Sequence, residues 1–380
     1  MDINELRSEI NAIDSELTQL FNKRMRVALD IAKYKTENNL PVLDKTRERA
    51  VLDKVAAASD KEFQNYTRIL YSEIMSLSRS YQHKTISGKS PVSDEIKEAV
   101  ETTPKLFPEN AKVACQGVEG AYAQHACDRF FRYPKISYYD NWREVFEAVS
   151  KGVCDYGVVP IENSTAGSVN KVYDLLKEFK CYITRSLRLK IDHSLLAKNG
   201  TQFENITEIF SHEQAINQCS DFLRSTGIKA TAVENTALAA KMVAESGRND
   251  VAAIASPNCC ELYDLCEIKG AVQNVKNNYT RFICISKNLQ IFPGADRSSI
   301  MMPAVSHKPG ALYNVLSVFN AHSINIRKLE SRPLPEKDFE FMFYFDIEAS
   351  IYSPDLYLLF DELYAENKGF TYFGSYSEII

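Results

Sequence analysis

The sequence predicts a multidomain protein with an all-α block, a two-lobed α/β block and a ferredoxin-like α+β block. Residues 1–84 hold one proline and no glycine, and their apolar residues follow the 3, 4 spacing of amphipathic helices. From residue 111, short β-rich runs alternate with helical runs, which indicates an α/β fold. From residue 298 the predicted order becomes β-α-β-β-α-β, the ferredoxin-like arrangement. We therefore predict domains at 1–84, 111–288 and 298–376, with a linker at 85–110.

Composition and charge argue against several classes of protein. The 45 Lys and Arg residues against 50 Asp and Glu give a net charge of -5, whereas nucleic-acid-binding proteins normally carry a basic excess. No run of ~18 apolar residues could span a bilayer, and the acidic start Met1-Asp2-Ile3-Asn4-Glu5 lacks the features of a secretory signal. We expect a cytoplasmic protein with no membrane partner and with its nine cysteines reduced. Neither C-x-x-C nor H-E-x-x-H nor a P-loop motif occurs, so we expect no metal and no cofactor.

The first predicted helix is unusually long. Its apolar spacing continues to about Asn38, which is ~36 residues or ~54 Å. A helix of this length needs a partner along it, which indicates a dimer. Asn39-Leu40-Pro41 breaks the helix, and two more helices follow at about 44–58 and 61–83. A short helix at about 93–100 is expected within the linker.

Charged and polar residues of these helices form a pattern. Arg24 and Lys35 are about 20° apart in azimuth and ~16 Å apart along the first helix, so their side chains can converge on one small anion. Arg7 is ~25 Å from Arg24 along the same axis. It is either solvated or completes the pocket of an antiparallel partner. Each such residue alone is more typical of ordinary ion pairs on a solvated helical hairpin.

Taken together, residues 1–84 resemble the all-helical class of chorismate mutase. The resemblance rests on Leu6-Arg7, Ile13-Asp14, Arg24, Lys33-Tyr34-Lys35, Pro41-Val42-Leu43-Asp44, Arg47-Glu48-Arg49 and Ser78-Arg79-Ser80-Tyr81-Gln82. It implies that a domain-swapped helical dimer binds chorismate, a dicarboxylate. Such a pericyclic rearrangement needs a held geometry and positive charge near the ether oxygen, but no nucleophile.

The resemblance also implies a role for each position. Arg24 and the partner subunit's Arg7 would hold the two carboxylates, and Lys35 and Gln82 would face the ether oxygen. Glu48 would orient the ring hydroxyl. The remaining positions are the backbone near Asp44, which would also orient the hydroxyl, and Ser78, which would line the pocket.

The α/β block is predicted to carry polar clusters at its strand ends. We predict strands at about 111–115, 136–138, 156–160, 187–191, 206–210, 230–233, 251–255 and 280–286, and helices at about 123–131, 141–150, 168–178, 213–225, 236–245 and 257–264. Loops at strand ends are where an α/β cleft presents its functional groups. Singly the signals are weak: Thr236 could be only a helix cap, Cys219 is a candidate core thiol, and His193 a structural hydrogen-bonder.

Several strings of this block together resemble prephenate dehydratase over about residues 111–288. They are Gln116-Gly117-Val118-Glu119-Gly120-Ala121-Tyr122, Val159-Pro160-Ile161-Glu162-Asn163-Ser164-Thr165-Ala166-Gly167, Ile191-Asp192-His193, Ser211-His212-Glu213-Gln214 and Asn278-Tyr279-Thr280-Arg281-Phe282. The resemblance implies a two-lobed fold like that of periplasmic binding proteins, with prephenate in the cleft. It also implies loss of water and carbon dioxide to give phenylpyruvate.

By this resemblance Thr280 is the essential hydroxyl that assists departure of the ring hydroxide. The residues implied to bind and orient prephenate are Asn163, Ser164, Ser211, Gln218 and Thr236. Arg281 would serve the structure of its motif. Ala123 and Asn274 depart from the family pattern, in which a serine and an acid are usual. Because aromatisation drives the reaction, a neutral hydroxyl donor suffices.

The last block carries two motifs, His307-Lys308-Pro309-Gly310-Ala311-Leu312 and Glu330-Ser331-Arg332-Pro333. Either one alone is typical of a tight turn or an exposed strand end. With the β-α-β-β-α-β order they resemble the ACT domain of prephenate dehydratases over about 298–376. The resemblance implies phenylalanine bound between two such domains, by amides of Gly310, Ala311 and Leu312 and by the partner side's Glu330, Ser331 and Arg332.

The three resemblances indicate a bifunctional enzyme that makes prephenate from chorismate and phenylpyruvate from prephenate, with feedback by phenylalanine, as a homodimer or higher oligomer. Two alternatives stay open. One is a non-catalytic amino-acid-sensing binding protein. The other is a monofunctional dehydratase whose helical block serves only dimerisation.

Overall fold

The computed structural model describes residues 2–38, 40–86, 90–303, 310–333 and 341–380. The chain forms two compact units, one of Met1–Glu98 with Asp296–Tyr372 and the other of Ala99–Ala295 with Phe373–Ile380. The predicted domains at 1–84 and 298–376 thus share most of one unit, and the predicted domain at 111–288 lies within the other. None of the helices in the described ranges is both long and apolar enough to cross a membrane.

Three helices open the first unit: α1 (Ile3–Glu37), α2 (Lys45–Ala57) and α3 (Gln64–Ile86). The ends of α1 and α2 are as predicted to within a residue. The third helix begins three residues later than expected, because a turn in which the Phe63 amide donates to the Asp60 carbonyl at 2.8 Å precedes it. Large apolar side chains of α1 are exposed in this single chain, at Ile3, Leu6, Ile10, Ile13, Leu17, Leu20, Val27 and Ile31.

Much of the predicted linker is a packed helix, α4 (Pro91–Thr102), longer than the short one expected. The Ser90 amide and the Ser93 hydroxyl both donate to Oδ1 of Asp361, at 2.8 and 2.6 Å. Ile96 is fully buried. The start of this segment is therefore part of the first unit, and the expectation of a polar linker is wrong there.

The C-terminal part of the chain has the predicted β-α-β-β-α-β order. Its elements are β12 (Arg297–Pro303), α12 (Ala311–Ala321), β13 (Asn325–Pro333), β14 (Phe341–Glu348), α13 (Pro354–Glu366) and β15 (Thr371–Ile379). Strand β14 lies between β12 and β13 and is antiparallel to both. Strand β15 continues past residue 376, where the predicted domain ends, and its residues 377–379, which belong to the second unit, pair in parallel with another strand of that unit.

The second unit contains two sheets. The first has the order β2-β1-β3-β11-β5, and the second has the order β10-β6-β9-β7-β8. The strands are β1 (Asn110–Gln116), β2 (Tyr133–Tyr139), β3 (Tyr156–Asn163), β4 (Gly167–Ser168), β5 (Tyr182–Lys190), β6 (Ser194–Lys198), β7 (Glu208–His212), β8 (Lys229–Val233), β9 (Val251–Ala255), β10 (Leu265–Lys269) and β11 (Tyr279–Ser286). The chain crosses between the sheets after β5 and again before β11, which gives the two lobes that the sequence predicts.

Helices cover these sheets, and apolar side chains fill the space between. They are α5 (Tyr122–Phe130), α6 (Trp142–Ser150), α7 (Asn170–Phe179), α8 (Glu213–Gln218), α9 (Ser220–Thr226), α10 (Thr236–Glu245) and α11 (Cys259–Tyr263), with a 3₁₀ turn at Phe203–Asn205. The first lobe buries Val113, Phe131 and Val158 in its core, and the second buries Leu195, Ile209 and Ile254.

Gly374 offers a test of this fold. Its φ is +129°, and a Cβ atom there would lie 2.4 Å from the Ile183 carbonyl oxygen. We expect Gly374→Ala to lower the free energy of unfolding by about 1–3 kcal/mol, because both the clash and the φ oppose a side chain. The matched control is Gly247→Ala, where a Cβ would meet no atom within 4 Å. Urea unfolding of both variants measures the difference. Equal stability of the two would contradict the close approach of Gly374 to the Ile183 backbone.

Candidate functional site

Several of the predicted chorismate residues are joined by contacts between the helices of the first unit. Arg24 Nη1 donates to Ser78 Oγ at 2.7 Å, which joins α1 to α3. Lys35 Nζ donates to the Val42 carbonyl at 2.6 Å. The side chain of Asp44 caps α2 by accepting from the Arg47 amide at 2.9 Å. Arg24 and Lys35 both lie on α1, and these contacts connect them to α3 and to the segment that precedes α2.

Two other predicted chorismate residues, Gln82 and Arg7, are not joined to these side chains. Gln82 is buried, and its Oε1 has no hydrogen-bond partner among the described residues. A buried polar atom without a partner costs about 1–3 kcal/mol, so such a group is suited to meet a ligand. Arg7 is exposed and lies on the same helix as Arg24, at ~25 Å. One chain therefore does not bring these two arginines to the same point.

Arg79, to which no motif assigns a role, contacts the predicted site residue Glu48. Its Nη1 donates to Glu48 Oε1 at 2.5 Å, and its Nε donates to Glu366 Oε1 at 2.9 Å. Burial raises the pKa of Glu366, and the charge of Arg79 opposes that rise. Glu48, which is predicted to orient the ring hydroxyl of chorismate, thus pairs with the same arginine as Glu366 of helix α13.

The second unit holds a cleft of about 710 Å³ between its two sheets. Four of the predicted prephenate residues line it: Asn163, Gln218, Thr236 and Thr280. Strands, helices and loops of both lobes contribute further lining residues: Gln116, Gly117, Tyr122, Tyr139, Trp142, His193, His212, Gln214, Asn235 and Phe282. With its mixture of amides, hydroxyls and aromatic rings, the cleft is suited to a small polar ring compound.

Thr280 is held in this cleft by Asn163. Strands β3 and β11 are antiparallel, and Thr280 is the residue opposite Asn163. The Asn163 Nδ2 donates to Thr280 Oγ1 at 2.9 Å and to Asn278 Oδ1 at 2.8 Å. Since the Thr280 oxygen accepts this hydrogen bond, its own O–H proton is available to a ligand. Thr280 is 9% exposed, so little water competes for that proton.

The orientation of the Asn163 amide follows from the loop after β3. Its Oδ1 accepts from the amides of Thr165 and Ala166, at 3.0 and 2.9 Å. It also accepts from the Thr165 hydroxyl at 2.7 Å. Backbone amides can only donate, so the oxygen must face the loop and the nitrogen must face Thr280.

Ser164 and Ser211 do not line the cleft, contrary to the prediction. Ser211 is fully buried, and its hydroxyl donates to the Ile254 carbonyl at 2.6 Å. The Ser164 hydroxyl accepts from the Tyr279 amide at 2.9 Å. Each serine makes a hydrogen bond to the backbone of a strand, Ser164 in the first lobe and Ser211 in the second. Short polar residues after strands satisfy backbone groups as readily as they meet ligands.

Two further residues keep the structural roles that the sequence predicts. Cys219 is fully buried, and burial raises the pKa of its thiol to about 12, so it is a core thiol rather than a nucleophile. The Arg281 guanidinium lies 3.4 Å from Glu162 on the neighbouring strand β3. Asn274, where the family usually has an acid, accepts from the Asp221 amide at 3.1 Å at the start of α9.

Tyr122 and His193 line the cleft, although the sequence analysis assigned neither to the ligand. The Tyr122 hydroxyl donates to the Asp192 carbonyl, and burial raises its pKa. His193 Nε2 lies 3.0 Å from Gln218 Oε1, and burial lowers the pKa of the imidazole. Both residues occur in the strings quoted for the resemblance, but a lone histidine or tyrosine gives no signal of its own.

Of the predicted phenylalanine site, Gly310–Leu312 and residues 330–332 are described, and His307-Lys308-Pro309 lies outside the described residues. Gly310 has φ +86° and directly precedes α12. Ala311 and Leu312 form the first turn of that helix. Glu330, Ser331 and Arg332 lie on β13.

Comparisons with known proteins agree on two catalytic families. A chorismate mutase type II model matches residues 6–83, and a prephenate dehydratase model matches residues 113–290. The bifunctional chorismate mutase/prephenate dehydratase of Escherichia coli (strain K12) is 30% identical over 380 residues, which cover 98% of this chain and 95% of that protein. The chloroplastic arogenate dehydratase/prephenate dehydratase 2 of Arabidopsis thaliana is 33% identical over 289 residues, 73% of this chain and 74% of that one.

A solved structure of a dehydratase is similar to a large part of this chain. The prephenate dehydratase from Staphylococcus aureus subsp. aureus Mu50 is 25% identical, with a TM-score of 0.62. The match covers 70% of this chain and 99% of that chain. The similarity to the bifunctional relative therefore extends over nearly the whole chain, and the similarity to the dehydratases over most of it.

The ion pairs of Arg79 allow a test of how the first unit is held together. Arg79→Met leaves Glu366 buried without its cation, so we expect the free energy of unfolding to fall by about 3 kcal/mol. The control is Arg143→Met, whose partner Glu178 is exposed, and for which we expect a small change. Urea unfolding measures both, and a loss for Arg79→Met no larger than that of the control would contradict the described pairing.

Proposed function

This chain belongs to the bifunctional chorismate mutase/prephenate dehydratases, and from that premise we propose which residues carry each of its two reactions. The enzyme converts chorismate to prephenate and prephenate to phenylpyruvate, two steps in the biosynthesis of phenylalanine. The observation that carries the proposal for the second reaction is the hydrogen bond from Asn163 to Thr280 in the cleft. The first reaction is assigned to Arg24, Lys35, Glu48 and Gln82, together with Arg7 of a second subunit.

In the dehydratase, Thr280 acts as the proton donor to the leaving hydroxyl of prephenate. The bond to the ring carboxylate breaks, and its electron pair enters the ring as carbon dioxide leaves. The carbon–oxygen bond breaks in turn, and the hydroxide takes the Thr280 proton and departs as water. The threonine oxygen then regains a proton from solvent. Asn163 supports this role because its donated hydrogen bond stabilises the oxygen while the proton is away.

Prephenate carries two carboxylates, and amide and hydroxyl donors of the cleft orient them. Gln218 and Thr236 both line the cleft from the second lobe. Thr236 is the first residue of α10, where Asn235 already caps the helix by accepting from the Leu238 amide at 2.7 Å. The Thr236 hydroxyl is therefore not required as the cap and is assigned to the substrate.

In the mutase, Lys35 and Gln82 stabilise the negative charge that develops on the ether oxygen. A rate gain of ~10⁶ corresponds to ~8 kcal/mol, which several charge-assisted hydrogen bonds of about 1.5–3 kcal/mol each can supply. Gln82 is buried, and its amide nitrogen is the group that can donate to the ether oxygen, since the amide oxygen only accepts.

A second subunit completes the mutase site. The exposed apolar residues of α1 form the stripe that an antiparallel copy of the same helix would cover. That arrangement brings the partner subunit's Arg7 toward Arg24, which one chain does not. We assign a homodimer on this basis, and the cytoplasmic location stays a prediction.

An ACT-type regulatory domain over 298–376 is the remaining part of the proposal. It is supported by the β-α-β-β-α-β order and by Gly310, whose positive φ favours glycine at the start of α12. Backbone amides there are suited to meet a ligand carboxylate. Phenylalanine binding at this position would inhibit the dehydratase by favouring one of two states of the oligomer.

Thr280→Val tests the dehydratase assignment. Valine has the shape of threonine without its hydroxyl, so we expect kcat for phenylpyruvate formation to fall ~10²–10⁴-fold. Mutase activity measured on the same preparation is one control, and we expect it to stay near the wild-type value. Thr280→Ser, which keeps the hydroxyl, is the second control, and we expect its dehydratase kcat to stay within about tenfold of the wild-type value. If Thr280→Val kept most of its dehydratase kcat, another group would have to donate the proton.

Mixing Arg7→Ala with Lys35→Ala tests the shared mutase site. Each variant alone is expected to lose mutase activity. In heterodimers formed by subunit exchange, one of the two sites escapes both substitutions, so part of the activity returns. Heterodimers verified by mass spectrometry that stay inactive would contradict the shared site. An active Lys35→Ala protein would instead remove the role assigned to Lys35.

Phenylalanine binding tests the regulatory assignment. We expect phenylalanine to inhibit the dehydratase with sigmoidal dependence and to raise the thermal midpoint. We expect Gly310→Val to lose both effects, because a branched side chain strains the φ of +86° and crowds the approach to the amides. Calorimetry measures the binding directly. Undiminished binding to Gly310→Val, in a protein that keeps its dehydratase activity, would place the regulatory site elsewhere.

A further inference from the structure

A continuous series of hydrogen bonds leads from His193 to Thr280. His193 Nε2 and Gln218 Oε1 are 3.0 Å apart, and Gln218 Nε2 donates to Thr165 Oγ1 at 3.2 Å. Thr165 Oγ1 donates to Asn163 Oδ1 at 2.7 Å, and Asn163 Nδ2 donates to Thr280 Oγ1 at 2.9 Å. Four hydrogen bonds thus join a buried imidazole to the hydroxyl assigned to proton transfer.

The direction of this series is fixed at its Thr280 end. Asn163 Oδ1 faces two backbone amides, so it must accept from the Thr165 hydroxyl as well. The Thr165 hydroxyl has one proton, and donating it to Asn163 leaves its oxygen free to accept. The neighbour on that side must therefore be a donor, which is the amide nitrogen of Gln218.

The direction is also fixed at the His193 end. With its nitrogen on Thr165, Gln218 turns its Oε1 toward His193, so Nε2 of the imidazole must carry a proton. His193 Nδ1 is buried and has no partner among the described residues. In this tautomer Nδ1 is an unpaired acceptor. If the Gln218 amide were reversed, Nδ1 would carry an unpaired proton, and a buried N–H donor without a partner is more costly than an unpaired acceptor.

We propose that His193 and Thr165 are positioning residues of the dehydratase, which act through Gln218 and Asn163 to aim the Thr280 proton into the cleft. The proposal rests on the proposed role of Thr280 as proton donor. Every group in the series donates toward Thr280, whose own O–H proton has no acceptor among the described residues. Neither residue needs to touch the substrate.

The series also joins the two lobes. Gln218 ends helix α8 of the second lobe, whereas Thr165 follows strand β3 of the first, and their contact spans the cleft. A rearrangement that parts the lobes would break this hydrogen bond and leave the Thr165 hydroxyl free to turn. The orientation of the Thr280 proton is thereby coupled to the closed arrangement of the cleft.

The experiment compares two variants of Thr165 in the full-length enzyme. Thr165→Val keeps the shape and removes the hydroxyl, so we expect the dehydratase kcat to fall about 3–10-fold, the effect of one hydrogen bond, with KM nearly unchanged. Thr165→Ser keeps the hydroxyl and removes a methyl group, and it should retain most of kcat. A merely structural role would give the opposite order, because serine packs less well than valine.

His193 is tested by a pair of the same length. His193→Gln can place a donor near the former Nε2 position, whereas His193→Met cannot. We expect the glutamine variant to keep more of kcat than the methionine variant. The mutase activity and urea unfolding of each protein check that the fold is intact.

The proposal is overturned if Thr165→Val keeps the wild-type kcat, if Thr165→Ser loses as much as Thr165→Val, or if both His193 variants have equal kcat. Thr280→Val, assayed alongside, separates this result from a failure of the proposed function. An inactive Thr280→Val with a fully active Thr165→Val would remove only the positioning series. An active Thr280→Val would remove the role of Thr280 as well.

Discussion

The antiparallel pairing of β3 with β11 is the constraint on which the dehydratase site depends. It sets Thr280 opposite Asn163, where β3 ends and β11 begins. A register shift lies between Arg281 and Phe282, so the ladder is irregular next to the site. Because side chains alternate between the faces of a strand, a slip of one residue would turn Thr280 away from Asn163. The pairing of these two strands thus fixes the position of the Asn163 amide relative to the Thr280 hydroxyl.

Both reactions make modest chemical demands, and the two proposed sites answer them with different groups. The rearrangement of chorismate needs fixed positive charge, and the proposed mutase site offers arginine and lysine side chains on helices. The loss of water and carbon dioxide needs one well-aimed proton, and the proposed dehydratase site offers a hydroxyl that accepts from a neutral amide. In the first unit, Arg79 links Glu48 of the mutase helices to Glu366 of α13, so these helices and the C-terminal block share a half-buried charge network.

Much of the fold could be predicted from the sequence because its periodicities are strong. The long amphipathic α1 and the apolar strands β9 and β11 appear where the patterns indicate. Strands β6 and β10 were missed, because five-residue runs such as Leu265–Lys269 carry too little alternation to stand out. The predicted helix at 213–225 is broken at Cys219, whose non-helical backbone no residue type announces.

The sequence predicts the cleft residues that belong to specific motifs, but not those whose contacts depend on how the chain packs. Asn163 and Thr280 belong to specific strings, and the structure brings them together. Ser211 belongs to such a string as well, yet its hydroxyl satisfies a carbonyl of the neighbouring strand, a use that only the sheet topology reveals. Thr165 and His193 both contact Gln218, which lies 53 and 25 residues away from them in sequence, and no local pattern reports such contacts.

A crystal structure of the enzyme with an unreactive prephenate analogue would test the central claim most directly. The account predicts Thr280 Oγ1 within about 2.6–3.2 Å of the ring hydroxyl of the analogue, with Asn163 Nδ2 still donating to Thr280. A ring hydroxyl bound by another protein group, with Thr280 beyond hydrogen-bond distance, would contradict it.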